Sequence, residues 1–229
     1  PYYISLNGKW QFYFNENPKK VPSDIATNVD QNDPNWCEID VPGNWERQGH
    51  GIAVYTNIVY DFCTVNPQPP YLPKLNPVGV YRHKNVEIPQ SWLDEERDIF
   101  IQIGGVKTGL YVFFNGQEVG YSEDSKDPAD FLLNKFITSS KNNVVTLVVF
   151  KYCTGSYIED QDMWRLAGIE RDVYLYSQPK IHIQDFKAVS TLDDRYKDGI
   201  FKLFVNLVNH DKKDESEIDL NFELIDLND

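Results

Sequence analysis

Hydrophobic and polar positions alternate with a period of two along much of this chain, and this alternation predicts strands rather than helices. Residues 80–86 alternate in this way. Two further alternating runs, 110–114 and 117–121, flank Asn115-Gly116, which favours a type I′ hairpin turn because both central residues need positive φ. Further strands are predicted at 10–14, 38–41, 99–103, 130–137, 144–152 and 171–176, and one helical turn capped by Ser91 is predicted at 91–96.

The count of eight to ten strands with almost no helix predicts an all-β fold, a jelly-roll β-sandwich over residues 1–178. Pro179 marks a domain boundary, because the alternating runs 181–189, 200–208 and 218–225 carry few aromatic residues. Residues 179–229 are therefore expected to begin a second β domain. Three strands are fewer than a two-sheet sandwich normally has, so we expect the sequence to stop inside this domain.

Composition narrows the class of partner. A hydrophobic fraction of 41% with 14% aromatic residues suffices for a real core, whereas a net charge of −13 argues against nucleic acid or an anionic membrane as partner. A neutral polar ligand remains compatible with this charge. No run of about 18 apolar residues is present, so no membrane-spanning segment is expected. The compartment, cytoplasmic or periplasmic, stays open.

The three cysteines do not indicate a metal site. Cys37, Cys63 and Cys153 are odd in number and lack metal-ligand spacing. They favour structural thiols over a disulfide framework. Similarly, Trp10, Trp36, Trp45 and Trp92 have strand spacing, so most of them are expected in the core rather than on a ligand. The run 42–79 is rich in Pro, Gly and aromatic residues and predicts an ordered excursion packed on a sheet.

The chemistry of the chain is concentrated in residues 155–173, between two predicted strands. This segment carries the carboxylates Glu159, Asp160 and Asp162 close to Trp164, and it predicts a packed loop that presents carboxylates. Asp160 and Asp162 fall on one side of an extended backbone, where they could share a hard cation or bind two sugar hydroxyls. A solvated acidic turn is the alternative. Sugars present an apolar C–H face and hydroxyls, so their sites mix aromatic rings with Asp, Asn and Glu.

A second candidate is Asn57, whose amide can donate to one hydroxyl and accept from another, although an Asn in a loop is more often a turn former. Asp160 and Asp162 cannot be a glycosidase pair, because neighbours on one strand cannot flank opposite faces of a sugar. The four histidines show no paired ligand spacing, and no Ser or Cys lies in a nucleophile motif. No self-contained active site is expected.

Six motifs stand out along the chain: residues 5–10, 41–45, 55–57, 76–82, 115–122 and above all 155–173. Together they resemble the amino-terminal part of the β-galactosidases of glycoside hydrolase family 2, over roughly residues 4–185. This resemblance implies a jelly-roll sugar-binding domain, an immunoglobulin-like domain that starts near Pro179, and a catalytic (β/α)₈ barrel beyond Asp229. That barrel would hold the acid/base and nucleophile glutamates and the magnesium site.

The resemblance also implies roles for two residues. Asn57 matches an Asn that hydrogen-bonds substrate, and Asp162 matches an Asp that ligates sodium and contacts galactosyl hydroxyls. A single carboxylate suits a weakly held ion completed by other groups, so Asp162 should form only part of the sodium site. The chain departs from the family pattern at Lys126, Asp130 and residues 166–167, none of which removes a functional group.

The first hypothesis is thus a non-catalytic sugar-binding part of a retaining β-galactosidase, inactive by itself. Its expected partners are a β-galactoside substrate, the remainder of its own polypeptide and, since the family forms oligomers, further copies of the full enzyme. One alternative is a free-standing, lectin-like carbohydrate-binding module. Others are a β-glucuronidase or β-mannosidase relative, and a scaffold domain that binds no sugar by itself.

Overall fold

A computed structural model describes residues 2–30, 33–57, 60–159, 161–211 and 217–225. The chain divides into two compact units, Pro1–Gln178 and Pro179–Asp229. The first unit is almost entirely β-structure, as the alternating pattern predicts. Its described strands are β1 (Tyr3–Ser5), β2 (Gly8–Asn15), β3 (Cys37–Val41), β4 (Gly43–Asn44), β5 (Val54–Thr56), β6 (Val78–Val86), β7 (Asp98–Ile103), β8 (Val106–Lys107), β9 (Gly109–Phe114), β10 (Gln117–Ser122), β11 (Ala129–Leu132), β12 (Asn143–Phe150), β13 (Met163–Arg165), β14 (Gly168–Ile169) and β15 (Val173–Gln178).

Two antiparallel sheets form the body of this unit within the described residues. One has the strand order β1-β15-β7-β11 and the other β10-β9-β12-β6-β2-β3. The smaller sheet contributes Ile99, Ile101 and Leu175 to the main core, and the larger sheet contributes Phe12 and Val112, all fully buried. Because side chains alternate across each strand, one face of each sheet supplies this shared core. The all-β prediction is confirmed.

The predicted Asn-Gly hairpin is present between β9 and β10. Asn115 and Gly116 have φ of 51° and 77°, the left-handed conformations that a type I′ turn requires. Gly116 also approaches the Thr27 carbonyl oxygen so closely that a Cβ there would lie 2.4 Å from it. Glycine is therefore required at this position both by the backbone conformation and by the neighbouring chain.

The larger sheet is covered on its outer face as well. A second apolar cluster contains Tyr13, Ile25 and Val80, packed against the half-buried Trp36. Arg82 extends from β6 into this layer, where its guanidinium donates to the backbone carbonyls of three residues and lies 4.6 Å from the Trp36 ring. The carbonyls belong to Ile25, Asn28 and Val29. Trp10, Trp45 and Trp92 are at most 1% exposed, so the prediction that most tryptophans belong to the core is confirmed.

Two local predictions differ from the structure at helical turns. The described residues contain one α-helix, α1 (Gln90–Asp94), which begins after Pro89 with no side-chain cap, so the prediction that Ser91 caps it is wrong. The run 130–137 is not one strand: it divides into β11 and the 3₁₀ turn Asn134–Phe136, whose Phe136 is buried. Burial of alternate residues does not distinguish these two conformations over so short a run. Other 3₁₀ turns are Pro18–Lys20, Glu46–Gln48 and Thr154–Tyr157.

The second unit consists, in its described residues, of one antiparallel strand pair, β16 (Ile181–Leu192) and β17 (Gly199–Asn209). The third strand predicted at 218–225 is wrong, because these residues have no regular structure. A strand is stabilised by backbone hydrogen bonds to a neighbour, which alternation alone does not supply. Large apolar side chains on the pair, such as Phe186 and Phe204, are exposed. The immunoglobulin-like assignment stays a prediction.

The described residues contain no helix that is long and apolar enough to cross a membrane. The cysteines, all within the described part of the chain, are free thiols: Cys37 is exposed, Cys63 is half-buried and Cys153 is buried.

Candidate functional site

A short strand pair, β5 with β13, brings the two candidate site segments together. Thr56 pairs with Met163 and Tyr55 pairs with Trp164 in antiparallel register. Asn57 and Asp162 stand next in this register, one residue beyond the last pair, so the ladder places both at the same end. Asn57 and Asp162 are exposed. The sequence alone identifies both residues but not their proximity, because 105 positions separate them along the chain.

The Asp162 carboxylate is oriented by a tyrosine that the sequence reasoning did not single out. The Tyr55 hydroxyl donates to Oδ1 of Asp162 at 2.6 Å. This hydrogen bond, followed by slight burial and the carboxylate charge, raises the pKa of Tyr55. Tyr55 precedes Asn57 by two residues in the motif 55–57, and its place in this motif is the sequence feature that points to a role at the site.

Two exposed aromatic rings, Tyr55 and Trp164, lie side by side on the ladder. Tyr55 is 53% exposed and Trp164 is 58% exposed. Their ring centroids lie 5.6 Å apart at an interplanar angle of 52°. Exposed aromatic faces beside a carboxylate and an amide are the mixture that binds the C–H face and the hydroxyls of a sugar. The expectation of a packed loop thus holds only in part, because Met163 is half-buried whereas Trp164 faces solvent.

The other carboxylates of residues 155–173 differ from Asp162. Glu159 is half-buried, and its two oxygens accept hydrogen bonds from the backbone nitrogen of Ser125 at 3.0 Å and from the Ser125 hydroxyl at 2.5 Å. Glu159 therefore anchors the segment instead of presenting a free carboxylate. Asp160 lies outside the described residues.

A second anchor holds the start of the same segment. The Glu123 carboxylate accepts hydrogen bonds from the Thr154 hydroxyl, from the Gly155 backbone nitrogen at 3.0 Å and from the Tyr121 hydroxyl at 2.5 Å. Burial alone would raise the pKa of Glu123, but the hydrogen bonds from Thr154, Tyr121 and Gly155 outweigh it, so the pKa is lowered. The charged carboxylate is thus part of the folded structure.

Behind the ladder lies a small cavity of about 20 Å³, which is room for about one water molecule. Its lining includes Lys107, Glu159 and Arg165. The buried Lys107 ammonium lies 3.7 Å from the Met163 sulfur, and burial, followed by the charge of Lys126, lowers its pKa. Arg165 donates to the Thr56 carbonyl at 3.3 Å and so binds the two strands of the ladder together. This cavity is too small for a sugar ring.

The described residues contain no group of three or more His, Cys, Asp or Glu side chains arranged to hold a metal ion. Asp162 by itself offers carboxylate oxygens, which suit a hard cation but do not complete a coordination shell. The fold and these side chains thus define an antiparallel β-sandwich whose surface carries the kinds of group that bind carbohydrates.

Comparison with known proteins identifies the family. The model for the glycosyl hydrolases family 2, sugar binding domain, matches residues 3–179, and the chain belongs to this family. It is 38% identical to a β-galactosidase of Priestia megaterium (strain DSM 319 / IMG 1521), covering 99% of this chain and 22% of that protein. It is 42% identical to a β-galactosidase of Vibrio cholerae serotype O1 (strain ATCC 39541 / Classical Ogawa 395 / O395), covering 84% of this chain and 18% of that protein. The chain spans about a fifth of the length of these curated relatives.

Solved structures agree on the fold. The chain superposes on a β-glucuronidase of an uncultured Clostridium sp. with a TM-score of 0.62 at 18% identity, covering 90% of this chain and 33% of that one. A β-glycosidase from Bacteroides vulgatus gives a TM-score of 0.63 at 20% identity, covering 92% of this chain and 25% of that one. At these identities the likeness establishes the fold alone.

Proposed function

We propose that this chain is the sugar-binding part of a retaining β-galactosidase, which hydrolyses terminal non-reducing β-D-galactose residues. The observation that carries the proposal is the ladder register, which places Asn57 and Asp162 together on an exposed surface next to Tyr55 and Trp164. The similarity to β-galactosidases at 38–42% identity supports the choice of galactose over glucuronic acid or mannose.

Each site residue has a chemical role in this proposal. The Asn57 amide donates to one substrate hydroxyl and accepts from another, while the Asp162 carboxylate accepts from galactosyl hydroxyls. Tyr55 holds Asp162 through its 2.6 Å hydrogen bond. None of these groups protonates a leaving group or attacks the sugar. The chain therefore forms one wall of a pocket whose acid/base and nucleophile come from a catalytic barrel elsewhere in the same polypeptide.

A sodium ion fits this wall only if groups from outside the chain complete its coordination. Carboxylate oxygens suit a hard monovalent cation, and Asp162 is exposed, so it would contribute one ligand group. The remaining ligands would come from the barrel and the sugar. When bound, sodium would supply positive charge that orients galactosyl hydroxyls. The magnesium ion belongs, in this proposal, to the barrel, and the full enzyme is expected to form a homo-oligomer.

The test is hydrolysis of a chromogenic β-galactoside by the full-length gene product, by its Asp162→Asn and Asn57→Ala variants, and by the 229-residue chain alone. We expect turnover by the full-length protein and none by the chain alone. Asp162→Asn should lose most activity and its response to sodium. Asn57→Ala should mainly raise KM by about tenfold, the consequence of losing one or two hydrogen bonds to substrate.

A matched control is Asp127→Asn, which removes another exposed carboxylate outside the ladder. This variant should keep wild-type kinetics and sodium response. If the full-length protein cleaves a β-glucuronide or a β-mannoside but no β-galactoside, the proposed substrate class is wrong. Full activity in Asp162→Asn would remove Asp162 from the site.

A second candidate function, a carbohydrate-binding module that acts without catalysis, is favoured by the exposure of Tyr55 and Trp164. Titration of the 229-residue chain with methyl β-galactoside, followed by tryptophan fluorescence, separates the two functions. A binding module gives saturable binding that Trp164→Ala abolishes. A pocket wall gives no saturable binding, because without the opposite wall the ligand stays largely in water.

A further inference from the structure

One buried ion pair contacts the chain beside each strand of the ladder that carries the site. The Lys151 ammonium lies 2.9 Å from Oε1 of Glu46, and the two side chains are 7% and 0% exposed. Neither residue belongs to the ladder: Glu46 lies in the 3₁₀ turn Glu46–Gln48, and Lys151 directly follows β12. An ion pair at such depth offsets the cost of removing its charges from water only when further hydrogen bonds reach its remaining donors and acceptors.

Those further hydrogen bonds run to the two strands of the ladder. Lys151 Nζ also donates to the backbone carbonyl of Ile52 at 3.3 Å, two residues before β5 begins. Glu46 Oε2 accepts from the backbone nitrogen of Ala167 at 2.9 Å, two residues after β13 ends. The entry to one strand and the exit from its partner are thus held by opposite ends of the same ion pair.

Ala167 is held on its other side as well, because its carbonyl accepts from the backbone nitrogen of Trp45 at 3.1 Å. Trp45 is completely buried in the main core, next to Phe12. The three-residue strands β5 and β13 are too short to be stable alone, and their tips bear the exposed site residues. The ion pair connects this marginal ladder to the rigid sandwich.

We propose that Glu46 and Lys151 are positioning residues of the sugar site, which fix the ladder and thereby the separation of Asn57 from Asp162. The expected effect on enzyme kinetics rests on the proposed function. The dependence of the ladder's order on the ion pair does not, because it concerns the 229-residue chain itself. Both backbone partners of the pair lie at one end of the ladder, opposite to Asn57 and Asp162. Breaking the pair leaves a buried charge at that end, and we expect this to loosen the short ladder before the sandwich.

The experiment compares Glu46→Gln, Lys151→Met and Lys151→Arg with a variant of the main core, Ile101→Val, which lies in the smaller sheet. In the 229-residue chain, amide hydrogen exchange is measured at 54–56 and 163–165. We expect exchange there to rise by about tenfold or more in Glu46→Gln and Lys151→Met, while amides of β7 change little. Lys151→Arg, which keeps the charge and the donors, should stay near wild type.

In the full-length protein Glu46→Gln and Lys151→Met should weaken the apparent affinity for sodium and raise KM by about tenfold, with a smaller effect on kcat. Lys151→Arg should again stay near wild type. KM of the double variant Glu46→Gln/Lys151→Met should be no higher than that of either single variant, because the two residues act as a unit. Ladder exchange that rises no more than in Ile101→Val overturns the inference, as does wild-type KM and sodium affinity in an otherwise active enzyme. If the full-length protein does not cleave β-galactosides, the proposed function fails and the exchange result alone decides the inference. Should Glu46→Gln not fold, Lys151→Met against Lys151→Arg gives the same test.

Discussion

The Tyr55 hydroxyl donates a 2.6 Å hydrogen bond to Oδ1 of Asp162, joining residues 107 positions apart in the chain. Both side chains are exposed, so the bond adds little to stability and instead orients a carboxylate at the surface. Since Asp162 and Asn57 stand at the same end of the ladder, the orientation of this one carboxylate bears on both candidate site residues.

Tyr55→Phe in the full-length protein should weaken the apparent affinity for sodium and for β-galactoside by about threefold to tenfold. This range corresponds to the net free energy of one hydrogen bond. Tm should change little, because Tyr55 is exposed. The measurement is steady-state kinetics over a sodium titration, with Tyr196→Phe as the control, since Tyr196 is an exposed tyrosine of the second unit. Equal kinetics in the two variants would show that the Tyr55 hydroxyl does not orient the site.

Asp162→Asn should lower the pKa of Tyr55 towards its ordinary value of about 10. The hydrogen bond to Asp162 raises this pKa in the folded chain. A raised pKa gives stability that is present below the unfolded pKa and is lost as pH rises through the folded pKa. The titration is followed by NMR of ¹³Cζ-tyrosine, with the resonance assigned by its absence in Tyr55→Phe. An unchanged pKa in Asp162→Asn would contradict the hydrogen bond.

Glu123 should make the first unit sensitive to acid. Its folded pKa is lowered, so its contribution is present above the unfolded pKa, about 4.3, and is lost as pH falls through the folded pKa. Glu123→Gln should therefore lower stability at pH 7 by on the order of 1 kcal/mol and lose less stability below pH 4 than wild type. Thermal unfolding between pH 3 and pH 7 measures this difference. Glu118→Gln on the exposed edge of β10 is the control, and parallel pH profiles for Glu123→Gln and wild type would refute the prediction.

Gly79→Ala should destabilise the first unit by about 1–3 kcal/mol through overpacking. A Cβ at Gly79 would lie 2.6 Å from two ring atoms of Trp45 and 2.7 Å from a Phe12 ring atom. The matched control is Gly199→Ala, where a Cβ meets nothing within 4 Å. Urea unfolding of both variants measures the difference. A Gly79→Ala midpoint no lower than that of Gly199→Ala would mean that Trp45 can move aside.

Most of the fold follows from the order of apolar and polar residues. The strand-like runs at 99–103 and 144–152, the second of them a predicted buried strand, are confirmed as β7 and β12. The Asn115-Gly116 hairpin is equally local, since it depends on two residues with positive φ. The failure at 218–225 has the opposite cause, because a strand also needs a partner that its own sequence does not name.

The candidate site divides in the same way. The sequence by itself identifies Asn57 and Asp162 as candidates through motifs and residue types, but it does not show that Glu159 anchors to Ser125 whereas Asp162 faces solvent. Only the tertiary structure decides this difference, and only it joins Tyr55 to Asp162 and Glu46 to Lys151. The physical reason is that side-chain chemistry and alternation are properties of neighbouring residues, whereas burial and hydrogen-bond partners depend on distant chain segments that meet when the two sheets pack.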